Sequence, residues 1–237
     1  MQKRIEKDAL GNVDIPANSY YGAGTARALK NFQISGFTAP ESFKRALGLV
    51  KLAAAITNGS LKLLNASQKN AIEKACREFI SGKFDDQFNL DVFQAGAGTS
   101  YNMNANEIIA NRANELLKSP KGKYRFVHPN DHVNMAQSTN DVIPTATRIA
   151  TLLMLPNLLH AIKNLEDQLS KKSREYKNIV KIGRTHLQDA VPVTFGQEFD
   201  AYKEAINKSR NFIIERSKDL QILGIGGTAI GTALNTH

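Results

Sequence analysis

The chain has 237 residues, of which 42% are hydrophobic, and this length suffices for one large domain or two small ones with a buried core. A formal net charge of +9 raises the question of an acidic partner. However, Lys and Arg are spread along the chain without an arginine-rich block, so we expect no nucleic-acid partner. The charged N-terminus is unlike a signal peptide, and Pro156 interrupts the longest apolar run, Ile149 to Leu155. We therefore expect neither export nor a membrane span.

The first elements predicted along the chain are a hairpin and a helix. Residues 4 to 16 alternate weakly in polarity and contain Leu10-Gly-Asn-Val13, which favours a short hairpin turn. Further on, Thr38-Ala-Pro-Glu41 fits a capping box and predicts the start of a helix whose apolar stripe begins at Phe43.

A second helix is predicted from about Ser67 to Ser81, because apolar residues recur at helical spacing and Gly82 is a favoured residue just past a helix end. Its apolar stripe contains the single cysteine, Cys76, which excludes an intramolecular disulfide. We interpret Cys76 as a packed, non-catalytic thiol of a protein in a reducing compartment, the cytoplasm.

A glycine-rich turn, Gly96-Ala-Gly-Thr-Ser100, leads into a helix that reaches about Leu117. Such a turn directs backbone N–H groups and the hydroxyls of Thr99 and Ser100 outward at a helix N-terminus, which favours an anion. It is not a phosphate loop, because no Gly-Lys-Ser/Thr follows. The helix also contains five asparagines, which are poor helix formers and therefore predict side-chain roles at a site or a helix interface. They are Asn102, Asn104, Asn106, Asn111 and Asn114.

The stretch from His128 to Thr145 is rich in amides, hydroxyls, carboxylates and imidazoles, and Gln137-Ser-Thr-Asn-Asp141 is its densest part. We interpret it as a binding loop at the junction of two architectural units. His128 and His132 are four residues apart, but Pro129 argues against a helix that would align them, so we expect no metal site.

From Thr145 onward the apolar residues step by three and four, which predicts two long helices. The second begins near Phe195 and has about 26 residues, or roughly 39 Å. Between them Lys181 to Glu198 is predicted to form a second polar loop. Long helices with one apolar seam indicate a bundle that other subunits complete. The glycine-rich end, from Gly224, has no helix behind it and suggests truncation; its spacing also excludes a dinucleotide fingerprint.

Three polar segments, residues 96–106, 137–141 and 183–189, each adjoin a predicted helix. Together they can hold a small polyoxygenated anion, because each hydrogen bond to a charged group contributes only about 1.5–3 kcal/mol and many donors are needed. His186 is the best candidate for proton transfer near neutral pH. The alternative is a histidine that only satisfies a loop carbonyl.

Three groups of motifs resemble the aspartase/fumarase superfamily, in the order in which that family has them. They are Gly96-Ala-Gly-Thr-Ser with Asn102-Met-Asn-Ala-Asn-Glu107, His128-Pro-Asn-Asp-His-Val-Asn with Gln137-Ser-Thr-Asn-Asp141, and Gly183-Arg-Thr-His-Leu-Gln-Asp-Ala-Val-Pro with Gly196-Gln-Glu198. The segment Gly227 to Asn235 also resembles the family, with Ala233 in place of the usual glycine.

This resemblance implies an all-α fold, with a small N-terminal helical domain over residues 1–140 and the first part of a long-helix bundle domain over residues 141–237. It implies a homotetramer whose sites combine three subunits, and reversible anti-elimination from a four-carbon dicarboxylate to give fumarate. An aci-carboxylate dianion would be held by preorganised donors. No cofactor or metal is implied.

The family's site residues carry over by position. Those implied to bind the substrate carboxylates and the amino or hydroxyl end are Thr99, Ser100, Ser138, Thr139, Asn140 and Thr185. His186 would assist in binding or proton transfer. A secondary anion-binding segment known in fumarases is matched by His128, Pro129, Asn130 and Asp131. Gln137-Ser-Thr-Asn and Gly96-Ala-Gly-Thr-Ser favour the aspartase branch, whereas His128-Pro-Asn-Asp favours the fumarases.

The family's general base is a serine on a Gly-Ser-Ser-x-Met-Pro-x-Lys-x-Asn loop, and these 237 residues do not contain that motif. We therefore expect a truncated chain that holds two of the three site segments and is inactive alone. The non-enzymatic alternative is an N-terminal assembly fragment that self-associates through open helix seams.

Overall fold

The computed structural model describes residues 2–234 and 236, and within them the chain is mainly helical, as predicted. The helices are α1 (Ala23–Asn31), α2 (Glu41–Ser60), α3 (Ala66–Ile80), α4 (Thr99–Leu116), α5 (Thr139–Glu175) and α6 (Phe195–Ser217). Two antiparallel hairpins pair β1 (Lys3–Asp8) with β2 (Gly11–Pro16) and β3 (Val180–Thr185) with β4 (Gln188–Thr194).

The chain divides into two compact units. One contains the residues up to 151 together with those from 223 onward, and the other is Leu152–Ile222. The first turns of α5 therefore belong to the first unit and the rest of that helix to the second. The domain boundary at residues 140 and 141 that the resemblance implies stays a prediction.

The core of the first unit lies among α2, α3 and α4. Phe88 stacks on Tyr101 with ring centroids 5.4 Å apart, and Phe79 meets Phe88 edge-on. The predicted helix α3 is confirmed, and its end is followed by Gly82 with a left-handed φ of +84°. Cys76 is fully buried, and burial raises the pKa of its thiol to about 12, so its interpretation as a packed thiol is confirmed.

The N-terminal hairpin is confirmed, but its turn consists of Ala9 and Leu10, because Asp8 pairs with Gly11. The capping box predicted at Thr38 is wrong. Helix α2 does begin at Glu41, but Pro40 precedes it in an extended conformation without a side-chain cap. Thr38 instead forms a β-bridge with Asp91.

Helix α5 begins at Thr139, six residues before the predicted Thr145. Ser138 and Asp141 close its N-terminal end, since the Ser138 N–H donates to Asp141 Oδ1 at 3.0 Å and the Asn140 N–H donates to Ser138 Oγ at 3.3 Å. The helix then continues through Pro156. Among the described helices, α5 alone is long and apolar enough to cross a membrane by length and composition. Interior helices of helical bundles pass the same test, so the property is weak support for a membrane span.

In the second unit, the segment predicted as a polar loop is a hairpin, so that prediction is wrong. His186 and Leu187 form its two-residue turn, both with positive φ (+49° and +62°). A Cβ on Gly183 would lie 2.7 Å from the Val191 carbonyl oxygen, which explains glycine at the irregularity in the ladder. A capping box of Thr194 and Gln197 opens α6, and a short 3₁₀ turn, Lys218–Gln221, extends it.

Replacing Asn114 by Ala is expected to lower the free energy of unfolding by about 3 kcal/mol or more, as measured by urea titration. Asn114 is fully buried, and it donates to the Val127 carbonyl and accepts from the Phe126 and Val127 N–H groups. The substitution would leave these buried groups unpaired. The matched control is Asn70→Ala in α3, where the side chain is exposed. Equal effects of the two substitutions would contradict this assignment.

Candidate active site

The first candidate segment is the turn that opens α4. Gly98 precedes the helix in the left-handed conformation, with φ of +80°, which favours glycine. A Cβ on Gly98 would lie 2.9 Å from Ile143 Cγ1, so the turn packs against the first turns of α5. Gly98 has no side chain to cap the helix, Thr99 is exposed, and in the first turn the Ser100 N–H donates to Gln94 Oε1 at 3.3 Å. This end of α4 therefore suits an anion.

The second candidate segment is the start of α5, and it is tied to the glycine-rich tail. Buried Asp141 accepts hydrogen bonds at Oδ2 from the N–H groups of Gly226 (3.2 Å) and Thr228 (2.8 Å). Next to it, Asn140 Nδ2 donates to the Ala229 carbonyl at 2.7 Å. These contacts fix the tail against the segment that contains Ser138, Thr139 and Asn140.

The structure brings the first two predicted segments together. Asn102 Nδ2 on α4 donates to Thr139 Oγ1 on α5 at 3.2 Å. Beside this contact is an open cavity of about 500 Å³. It is lined by Gly96, Ala97, Thr139, Asn140, Ile143, Pro144, Thr147 and Arg148. Arg148 brings a positively charged residue to the lining of this cavity, which the sequence did not indicate.

Lys51 is a second cation that the sequence reasoning missed. It is fully buried in α2, and its Nζ donates to Asn134 Oδ1 and to Gln137 Oε1, both at 2.9 Å. Burial lowers the pKa of Lys51 to about 7, although the nearby Cys76 and Asp141 act in the opposite direction. Its position in the sequence carried a signal, because it lies four residues after Leu47 on the buried face of the helix.

The predicted roles of the α4 asparagines divide between the site and the interior. Asn102 reaches the site, whereas Asn104 donates to the Gln87 carbonyl. Asn111 and Asn114 hold the segment from Gly122 to Val127. All of these side chains, like Asn106, are buried. Hydrogen bonds that a better helix former could not make therefore explain Asn102, Asn104, Asn111 and Asn114, whereas the buried amide of Asn106 has no hydrogen-bond partner in the described structure.

Thr185 and His186 belong to the second unit. Both are exposed, and His186 occupies the turn of the β3–β4 hairpin. Its ring has no hydrogen-bond partner among the described residues, so it does not satisfy a loop carbonyl there. The roles of Thr185 and His186 in substrate binding stay predictions.

The predicted secondary anion segment forms one turn of π-helix, Pro129–Val133. Proline is accepted at the first helical position, but His128 precedes the turn in an extended conformation, so His128 and His132 are not aligned on one helix. The segment closes on itself: the Asp131 N–H donates to His128 Nδ1 at 3.3 Å, and the His128 N–H donates to His132 Nδ1 at 2.9 Å. Burial lowers the pKa of His132, which favours its neutral form. Asn130 and Asp131 remain exposed.

Comparison with known proteins gives consistent matches along the chain. A family model described as lyase matches residues 11–237. A class II fumarate hydratase of Neisseria meningitidis is 48% identical, with 100% of this chain and 52% of the relative covered. An aspartate ammonia-lyase of Bacillus sp. is also 48% identical, with 98% of this chain and 50% of the relative covered.

A solved structure has the same fold. The crystal structure of fumarate lyase:delta crystallin from Brucella melitensis bound to cobalt matches with a TM-score of 0.96 at 47% identity. The match covers 100% of this chain and 52% of that one. The chain thus spans about half the length of the relatives that it matches.

Replacing Lys51 by Met is expected to remove a pH-dependent component of stability. In the unfolded chain this lysine holds its proton up to a pKa of 10.5, whereas the folded chain releases it near pH 7. Between these values the unfolded state binds more protons, so stability rises with pH, by up to about 1.4 kcal/mol per pH unit. Urea titrations between about pH 7 and 9 measure the difference in slope between the two proteins.

The matched control for that experiment is Lys44→Met, in the same helix. Lys44 is only half-buried and donates to the Asp85 carbonyl, away from the candidate site. This variant is expected to keep the slope of the unsubstituted protein. A slope that Lys51→Met leaves unchanged would show that Lys51 is not buried as described.

Proposed function

The chain belongs to the aspartase/fumarase superfamily of lyases, and from this premise we propose that it supplies part of the active site of an aspartate ammonia-lyase. The reaction would be reversible elimination of ammonia from L-aspartate to give fumarate. A base removes a proton from the carbon beside one carboxylate, the resulting aci-carboxylate dianion is stabilised by donors, and the C–N bond then breaks. Fumarate and ammonia are the products.

The observation that carries the proposal is the meeting of two helix starts beside one cavity. Thr99 stands at the first position of α4, and Thr139 at the first position of α5. The cavity is lined by Thr139, Asn140 and Arg148. The Thr139 hydroxyl and the positive charge of Arg148, next to a helix N-terminus, suit the carboxylates of a diacid.

Within this proposal, Thr99, Ser100, Ser138, Thr139 and Asn140 bind substrate from the first unit. Thr185 and His186 would join them from another copy of the chain in a homotetramer, and His186 would assist in binding or proton transfer. The enzyme would be cytoplasmic and would work without a cofactor. The general base would come from the half of the protein that the relatives have and this chain does not contain.

A class II fumarate hydratase is the second candidate. It is favoured by the His128-Pro-Asn-Asp motif, whereas the 48% identity to the Neisseria meningitidis enzyme equals that to the Bacillus aspartate ammonia-lyase and favours neither candidate. The aspartase assignment relies on Gln137-Ser-Thr-Asn and Gly96-Ala-Gly-Thr-Ser. In the second reaction a hydroxyl leaves in place of the amine, so L-malate replaces L-aspartate as the substrate.

The substrate can be decided by supplying the missing half of the site. We define the complemented enzyme as this chain co-expressed with the half of the Bacillus aspartate ammonia-lyase that the chain does not match. We expect this enzyme to form fumarate from L-aspartate and not from L-malate, with fumarate absorbance as the measurement. Each half alone is expected to be inactive, because the base and the first carboxylate-binding segments would then be separated.

Turnover of L-malate without L-aspartate would favour the fumarase candidate, with a complement taken from the Neisseria meningitidis relative as the cross-check. Activity of this chain alone would contradict the expected need for the missing half. If neither substrate reacts with either complement, although the halves associate, the non-enzymatic assembly fragment becomes the better explanation.

Replacing Thr139 by Val in the complemented enzyme is expected to lower kcat/KM by about 10- to 100-fold. The substitution keeps the shape of the side chain but removes the hydroxyl, and a hydrogen bond to a charged group contributes about 1.5–3 kcal/mol. Steady-state kinetics with L-aspartate provide the measurement. The matched control is Thr147→Val, which lines the same cavity but uses its hydroxyl within the helix, on the Ile143 carbonyl. Equal losses in both variants would contradict a direct role for Thr139.

A further inference from the structure

Lys51 differs from its two hydrogen-bond partners, Asn134 and Gln137, in the hydrogen bonds that its side chain can form. A lysine ammonium can only donate, whereas each asparagine or glutamine amide can both donate and accept, and can therefore be turned in either direction. Lys51 Nζ contacts the amide oxygens of Asn134 and Gln137. Both amides are thereby fixed with their oxygens toward α2.

The other ends of these amides agree with that orientation. Asn134 Nδ2 donates to the Gln137 carbonyl at 3.3 Å, and Gln137 Nε2 donates to the Val133 carbonyl at 2.9 Å. A turned Asn134 amide would place its nitrogen against Lys51 Nζ and its oxygen against a carbonyl oxygen. Because both contacts would be repulsive, the direction of the amide is set by the lysine.

The orientation of the Asn134 amide also fixes the orientation of Asn102, which contacts the candidate site. Asn134 Oδ1, which accepts from Lys51, also accepts from Asn102 Nδ2 at 3.2 Å. The same Asn102 nitrogen donates to Thr139 Oγ1 at 3.2 Å. Asn102 is buried, so it has no water to compensate for a turned amide. Thr139 Oγ1 therefore receives a hydrogen bond from the protein, and its own proton is left for an acceptor outside this network.

We propose that Lys51 is a positioning residue for an anionic ligand. It sets the direction of a chain of hydrogen bonds that runs through Asn134 and Asn102 and ends at Thr139. If Asn102 were turned, Thr139 would donate to Asn102 Oδ1 and would offer the ligand only lone pairs. Lys51 thus determines that this hydroxyl acts as a donor toward a carboxylate. The ligand half of this inference rests on the proposed function, whereas the orientation of the amides does not.

The orientation can be tested on this chain alone with asparagine labelled with ¹⁵N. At a pH below the pKa of Lys51, so that it is an ammonium, we compare side-chain amide exchange in the unsubstituted protein, Lys51→Met and Lys44→Met. The Asn102 signal is assigned by its loss in Asn102→Ala. We expect exchange of this amide to become at least about tenfold faster in Lys51→Met and to stay unchanged in Lys44→Met. Unchanged exchange in Lys51→Met would overturn the proposal.

The consequence for the ligand is tested by a double-mutant cycle in the complemented enzyme, with succinate as an inert dicarboxylate inhibitor, at a pH below the pKa of Lys51, where it is an ammonium. Lys51→Met is expected to weaken succinate inhibition by about tenfold when Thr139 is present. In the Thr139→Val background the same substitution should change it by less than about twofold, because the hydroxyl that Lys51 directs is already absent. Equal effects in both backgrounds would mean that Lys51 acts through general structure, and would overturn the proposal.

A second variant is needed in case Lys51→Met does not fold. It also distinguishes the effect of a group that only donates hydrogen bonds from the effect of any polar side chain. Lys51→Gln keeps a polar side chain but can accept as well as donate, so it is expected to weaken succinate inhibition at least about threefold, with the same dependence on Thr139. Inhibition equal to that of the unsubstituted enzyme would overturn the proposal. A complemented enzyme without turnover would contradict the proposed function. The exchange rate of the Asn102 side-chain amide would still show whether Lys51 sets the direction of that amide.

Discussion

The carboxylate of Asp141 holds the start of α5 in place, and the candidate site depends on it. One of its oxygens closes the helix end at Ser138, and the other binds the backbone of Gly226 and Thr228. A buried carboxylate is stable only when hydrogen bonds replace its hydration, and here three N–H groups do so. Because Thr139 and Asn140 lie between Ser138 and Asp141, their positions follow from the same contacts.

A second constraint is the number of polar side chains that are buried in the interior of the first unit. Buried amides on α4 satisfy the backbone of neighbouring segments, and Lys51 contributes a buried cation beside them. Such a network holds one arrangement where its members are paired, as Lys51 Nζ and Asn102 Nδ2 are, although Asn102 Oδ1, Asn104 Oδ1 and the Asn106 amide have no partner in the described structure. The consequence for function is rigidity, since the amides that reach Thr139 cannot reorient without breaking contacts on α2 as well.

The sequence predicted the helices well wherever local signals decided the structure. Helix α3 followed from its apolar stripe and Gly82, and α4 followed from the turn at Gly98. The start of α5 was predicted too late because the capping signature Ser138-Thr-Asn-Asp141 was interpreted only as a binding loop. The β3–β4 hairpin was missed because its turn, His186-Leu187, lacks the glycine or asparagine that usually marks such turns.

The positions of Lys51 and Arg148 needed the structure for a different reason. The spacing of Lys51 from Leu47 is that of the buried face of α2, but only tertiary contacts show that amide oxygens of the segment before α5 accept hydrogen bonds from it. Arg148 lies on α5 and reaches the cavity only because the α4 turn packs against that helix. Long-range neighbours of this kind leave no local pattern in a sequence, and our reasoning from composition treated both residues as part of a dispersed surface charge.

Two neighbouring side chains at the start of α5 present opposite polarity, and this suits a substrate with two kinds of group. Asn140 Nδ2 donates to the Ala229 carbonyl, which fixes the direction of the amide and leaves its oxygen available to a donor. Thr139 already accepts from Asn102, so its proton is available to an acceptor. Under the proposed function, Thr139 would face a carboxylate and Asn140 the amino or hydroxyl end. An amide oxygen accepts from an ammonium and from a hydroxyl alike, so one half-site can serve both reactions. This agrees with the equal identity of the chain to an aspartate ammonia-lyase and to a fumarate hydratase.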